Sequence, residues 1–71
     1  MNVLIKRVTL EMILYRKGLT NGEFASEIGV SENTLSYILN GKRKPSAKLA
    51  KKIVDSLNVE FDDIFELREV N

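Results

Sequence analysis

Asn21-Gly22-Glu23-Phe24-Ala25-Ser26-Glu27-Ile28-Gly29-Val30-Ser31-Glu32-Asn33-Thr34-Leu35-Ser36-Tyr37-Ile38-Leu39-Asn40 holds two groups of apolar or small residues on either side of a glycine. Phe24, Ala25 and Ile28 form the first group; Val30, Leu35 and Ile38 form the second, and Gly29 stands between them. Two short helices packed at a steep angle need a small residue where their backbones approach. They also need a residue tolerant of positive φ at the corner. Ala25 meets the first need and Gly29 the second. The stretch predicts a helix-turn-helix over about residues 20–40, whose second helix keeps a polar outer face suited to a DNA groove.

Local end signals extend this reading outward. Thr20-Asn21-Gly22-Glu23 is a capping box that starts the first helix of the pair, although Gly22 in the first turn costs ~1 kcal/mol relative to Ala. Ser31 caps the second helix, Glu32 to about Leu39, and Asn40-Gly41 ends it. Upstream, a helix is predicted from Leu10 to about Lys17, with Thr9 as its N-cap, Gly18 as its stop and Leu10, Ile13 and Leu14 as its apolar face. Val3, Leu4, Ile5 and Val8 predict a short strand or ordered arm before it. Downstream, Lys42-Arg43-Lys44-Pro45 is a rigid basic loop. Ser46 caps a fourth helix that turns Leu49 or Ala50, Ile53, Val54 and Leu57 inward, and Asn58 closes it. Glu60 to Glu66 reads as a short fifth helix inserting Phe61, Ile64 and Phe65 into the core. Residues 67–71 are expected to be extended and to pair with Val3 to Arg7, within the chain or across a dimer.

A chain of 71 residues reads as one small domain, 1–71, burying only about 60% of its unfolded surface. Its 44% hydrophobic and 30% charged residues are ordinary for a globular protein. Cysteine and histidine are both absent, which removes disulfides, thiolate metal sites and the commonest general base. The Asp62-Asp63 pair reads as the acidic first turn of the fifth helix, so an enzyme is not expected, nor a cofactor or metal. No apolar run approaches a membrane span, and Met1 to Val8 lacks a signal-peptide core, so a cytoplasmic protein is expected. The net charge of +1 conceals a polarised chain. Lys42, Arg43, Lys44, Lys48, Lys51 and Lys52 stand together without an acid. Asp55, Glu60, Asp62, Asp63, Glu66 and Glu69 face only Arg68 in the final stretch. The basic segment suits a polyanion.

With five helices placed, the chain resembles the Cro/CI-type (XRE-like) helix-turn-helix repressors of phages and bacteria, from about Leu10 to Phe65. Lys17-Gly18-Leu19-Thr20, Glu23-Phe24-Ala25, Gly29-Val30-Ser31, Asn40-Gly41-Lys42-Arg43-Lys44-Pro45-Ser46 and Val59-Glu60-Phe61-Asp62-Asp63-Ile64-Phe65 carry the likeness. The resemblance implies an all-α, five-helix, lambda-repressor-like DNA-binding domain, with the terminal segments free to form a short strand pair. It departs from the family in having Asn21 where Gln is frequent, and in placing no Arg or Gln on the reading face.

Helix three is where bases would be read. Asn33 suits an adenine edge and Glu32 a cytosine amino group; Thr34 and Ser36 suit bases or phosphates, and Tyr37 a thymine methyl or a phosphate. The plainer alternative is that Ser31 is only an N-cap and Glu32 only a dipole partner in the first turn, and for Glu32 the two readings weigh equally. Thr20 and Asn21, with Asn40, Lys42, Arg43 and Lys44, are the expected phosphate contacts, the loop contributing free amides near Asn40-Gly41 as well as charge. Lys48, Lys51 and Lys52 read as a solvated helix face. Lys6 and Arg7 read as part of a surface strand, or else as an arm reaching DNA. Exposed Leu67 and Val70 would make an apolar strip for self-association. The expectation is a homodimeric Cro-like repressor on a pseudo-palindromic double-stranded operator. The alternative is a protein-interaction module, an antirepressor or antitoxin, that binds a partner repressor or toxin.

Overall fold

A short strand pair decides how the helices close. The computed structural model describes residues 2–68. Strand β1 (Asn2–Ile5) leads into α1 (Arg7–Lys17), α2 (Asn21–Ile28), α3 (Glu32–Leu39), α4 (Ala47–Leu57) and α5 (Phe61–Ile64), and β2 (Phe65–Arg68) follows α5 without a loop. The strands pair antiparallel, Val3 opposite Leu67 and Ile5 opposite Phe65. Side chains alternate across a strand, so Val3, Ile5 and Phe65 face the helices while Leu4 is exposed.

The predicted caps at Thr20, Ser31 and Ser46 form. Thr20 Oγ1 accepts from Glu23 N–H at 3.1 Å, and Glu23 Oε1 accepts from Thr20 N–H at 3.0 Å. Ser31 Oγ and Ser46 Oγ accept from Thr34 N–H and Leu49 N–H, each at 3.1 Å. Each such cap contributes ~1 kcal/mol. Gly18, Gly29 and Asn58 hold the left-handed conformation that closes α1, α2 and α4. The core gathers Leu10 and Leu14 from α1, Phe24, Ala25 and Ile28 from α2, Leu35 and Leu39 from α3, Ala50, Ile53, Val54 and Leu57 from α4, and then Ile64 and Phe65. Fully burying a large apolar side chain contributes about 1.5–3 kcal/mol. Ala50 takes the inner position on α4, and Leu49 is half-buried.

Three boundaries differ from expectation, and the strand pair accounts for all of them. Helix α1 begins at Arg7, and Thr9 lies within its first turn instead of capping it. Lys6 N–H donates to Ile64 O at 2.7 Å and Lys6 O accepts from Leu10 N–H at 3.0 Å, so the end of the sheet itself launches the helix. Helix α5 stops at Ile64 because Phe65 is already extended and paired with Ile5. Strand β2 therefore starts at Phe65, ahead of the predicted extended tail. Phe61 is half-buried and stacks on Phe65, with ring centroids 4.9 Å apart. Val70, the other half of the anticipated apolar strip, lies outside the described residues. Among the described residues no helix is long and apolar enough to cross a membrane.

Candidate nucleic-acid interface

The first turn of α3 is built largely from contacts that keep its hydroxyls at home. Ser31 Oγ accepts the Thr34 N–H and donates to Thr34 Oγ1 at 2.9 Å. The cap reading of Ser31 is therefore the observed one, and Thr34 is half-buried beside it. Leu35, Ile38 and Leu39 anchor the inner side of the helix. Glu32, Asn33, Ser36 and Tyr37 remain exposed, with Tyr37 50% accessible. Four of the anticipated groove residues thus share an accessible surface that carries one carboxylate and no cation.

Glu32 reaches back toward α2. A Cβ built on Gly22 would stand 2.9 Å from Glu32 Oε1 and 3.5 Å from its Cδ, so the carboxylate occupies space that only a glycine leaves open. A negative group beside the opening turn of a helix is favourably placed against the helix dipole. Thr20 and Asn21 are exposed at that same turn. Thr20 Oγ1 serves the capping box, which leaves Asn21 as the side chain not engaged in it. The Thr20 backbone N–H, and then its side chain, hold the Glu23 carboxyl below its ordinary value. The carboxylate of this box therefore stays ionised.

The loop after α3 corrects one expectation. The amides near Asn40-Gly41 are not free: Asn40 N–H donates to Ser36 O, Gly41 N–H to Ile38 O, and Lys42 and Arg43 N–H both to Tyr37 O at 2.9 and 3.2 Å. The last carbonyls of a helix need donors, and here the loop backbone folds back to supply them around Gly41, whose φ is +74°. What the loop offers a ligand is side chains: Lys42, Arg43 and Lys44 are all exposed, and Pro45 is buried beneath them. Lys51 pairs with Asp55 at 3.3 Å on the solvent face of α4, in keeping with a solvated surface.

One residue sits closer to this surface than its place in the chain indicates. Arg7 is the first residue of α1, not part of a strand. Its Nη1 donates to Asn40 Oδ1 at 2.5 Å and its Nε to Glu11 Oε1 at 2.7 Å. Asn40 Nδ2 in turn donates to Ser36 Oγ at 3.4 Å. No local pattern marks the bond from Arg7 to Asn40, because it joins residues 33 apart.

Comparisons with known proteins agree with this geometry. The profile of the helix-turn-helix family matches residues 10–64. The chain is 44% identical over 43 residues to YvzC of Bacillus subtilis, an uncharacterized HTH-type transcriptional regulator; the match takes in 61% of this chain and 56% of the relative. It is 45% identical over 47 residues to another such regulator, MJ0272 of Methanocaldococcus jannaschii, across 66% of this chain and 71% of that one. The chain thus spans little more than half the length of the Bacillus relative. Among solved structures, the transcriptional regulator VanUg superposes with a TM-score of 0.72 at 27% identity, covering 97% of this chain and 92% of that one.

Proposed function

The chain belongs to the Cro/CI-type helix-turn-helix family of transcriptional regulators, and from that premise we propose a sequence-specific DNA-binding regulator, a small Cro-like repressor acting on a pseudo-palindromic operator. The observation that carries the reading is the exposed run of Asn33, Ser36 and Tyr37 on α3, followed at once by the exposed cations Lys42, Arg43 and Lys44. A helix entering the major groove needs base-reading side chains on one surface and phosphate contacts that fix its register. Asn33 has both a donor and an acceptor for an adenine edge. Glu32, Ser36 and Tyr37 complete the reading surface, and Thr34, half-buried beside Ser31, shapes its first turn. Asn21, Thr20, Asn40 and the loop cations hold the phosphates, with Ser31 shaping the turn that presents them. An occupied operator would block polymerase sterically.

Two-fold dimers bind half-sites about one helical turn apart, and a lone small domain offers few contacts. The proposal therefore includes a homodimer. Leu67, 51% exposed, lies in a groove with Val3, Pro45, Leu49 and Phe61, where charged residues including Lys51, Asp55 and Glu60 also line the walls, a mixed surface suited to a second copy.

Selection of bound duplexes from a random pool, followed by titration at two salt concentrations, tests the reading. Enrichment of a pseudo-palindrome bound far more tightly than scrambled duplex supports it. Weak salt-sensitive binding without enrichment removes it. A second reading, a protein-interaction module of the antirepressor or antitoxin kind, draws support from Val8, Met12 and Tyr15. These lie 69%, 51% and 87% exposed on the outer side of α1. Partner binding there would be indifferent to Lys42 and Arg43 and would be lost on Met12→Lys.

A further inference from the structure

We propose that Arg7, outside the helix-turn-helix, is part of the DNA-binding surface: it sets the orientation of the Asn40 amide and itself contacts a phosphate. The inference rests on the DNA-binding reading above. A guanidinium can only donate. Since Arg7 Nη1 lies 2.5 Å from the Asn40 side chain, the amide atom facing it must be the oxygen. The Asn40 NH2 group is thereby turned the other way, toward Ser36 on the accessible side of α3. An asparagine free to rotate can present either an acceptor or a donor. Held by Arg7, Asn40 presents a donor, which is what a phosphate oxygen requires.

Arg7 is also able to act for itself. Its side chain is 52% exposed, and Glu11 and Asn40 engage only its Nε and Nη1. The remaining N–H groups form part of the planar fork that suits phosphate. Glu11 fixes one edge of the guanidinium from the next turn of α1, limiting the rotamer freedom that binding would remove. Arg7 thus extends the cationic surface of Lys42 and Arg43 across the C-terminal end of α3. A purely structural tie between α1 and α3 would need the same two hydrogen bonds but would not meet the nucleic acid. That difference can be measured.

The probe is the duplex enriched from the random pool, titrated across a fourfold range of salt. Removing one phosphate contact should lower the slope of log affinity against log salt by about 0.9, which makes the fall in affinity over that range about 3.5-fold smaller. Arg7→Gln is expected to lower the slope by this amount, and Asn40→Ala is expected to weaken binding in the parent but hardly at all in Arg7→Gln. Arg7→Lys keeps the charge but loses the planar fork, so it should retain the slope while losing affinity and the coupling to Asn40→Ala; thermal unfolding of each variant verifies the fold. If a folded Arg7→Gln leaves the slope unchanged while Lys42→Gln lowers it, Arg7 does not meet DNA and the proposal is overturned with the DNA-binding reading intact. If the parent itself binds without salt dependence, both fall.

Discussion

Gly22→Ala isolates the contact between α2 and Glu32. Gly22 lies in the first turn of α2 and is absent from the positive-φ residues, so alanine suits its backbone. Replacing a helical glycine by alanine stabilises by about 0.5–1 kcal/mol. The added Cβ, however, would lie 2.9 Å from Glu32 Oε1. The carboxylate must then leave its place beside the α2 dipole, which costs about 0.3–1 kcal/mol. The two effects are of similar size, so Gly22→Ala alone should change stability little. In a Glu32→Ala background the obstruction is gone and the full gain should appear. For a domain of this size 1 kcal/mol moves the thermal midpoint by about 4–8 °C, so the gain is measurable. Thermal or urea unfolding of the parent, both single variants and the double variant gives the coupling directly. The reasoning is refuted if Gly22→Ala lowers the midpoint equally in both backgrounds, because the glycine would then serve something other than Glu32.

The remaining expectations concern binding, assembly and pH. Glu32→Ala should raise affinity for scrambled duplex and relax one base preference, since a carboxylate near phosphates opposes binding; equal or weaker binding to scrambled duplex in a filter or fluorescence titration counts against this. Lys42→Gln and Arg43→Gln should each lower the salt slope by about 0.9 with little change in unfolding midpoint. Leu67→Lys should shift the protein toward monomer in sedimentation analysis while its helical circular dichroism is retained. Glu23 is held below its ordinary value by Thr20. The stability it contributes is therefore fully present above the ordinary glutamate range and declines as pH falls through the lowered value. Glu23→Gln should flatten that part of the curve of unfolding midpoint against pH.

Much of the helix-turn-helix was legible because its signals are local. Thr20 with Glu23, Ser31 with Thr34, and Ser46 with Leu49 are contacts within a single helical turn. Gly18, Gly29 and Asn58 close helices by their own backbone conformation. The start of α1 was not legible, since Thr9 offered a plausible cap and the true start depends on a hydrogen bond from Lys6 to Ile64. The loop amides were misplaced for a related reason. Their sequence advertises a flexible basic segment, whereas the unpaired carbonyls at the end of α3 draw them inward.

Chain order and residue type alone therefore defined α2, α3 and α4, the caps at Thr20, Ser31 and Ser46, and most of the residues that fill the core, since these follow from periodicity and from contacts three or four positions apart. Packing decided which polar candidates face outward. It engaged the Ser31 hydroxyl and the amides of residues 40–43 internally, folded Glu32 over Gly22, and brought Arg7 to Asn40. Those choices depend on how α1, α2 and α3 are set against one another once the strands pair. A hydrogen bond between residues 33 positions apart leaves no periodicity in the chain, because only the closed core brings its two ends together.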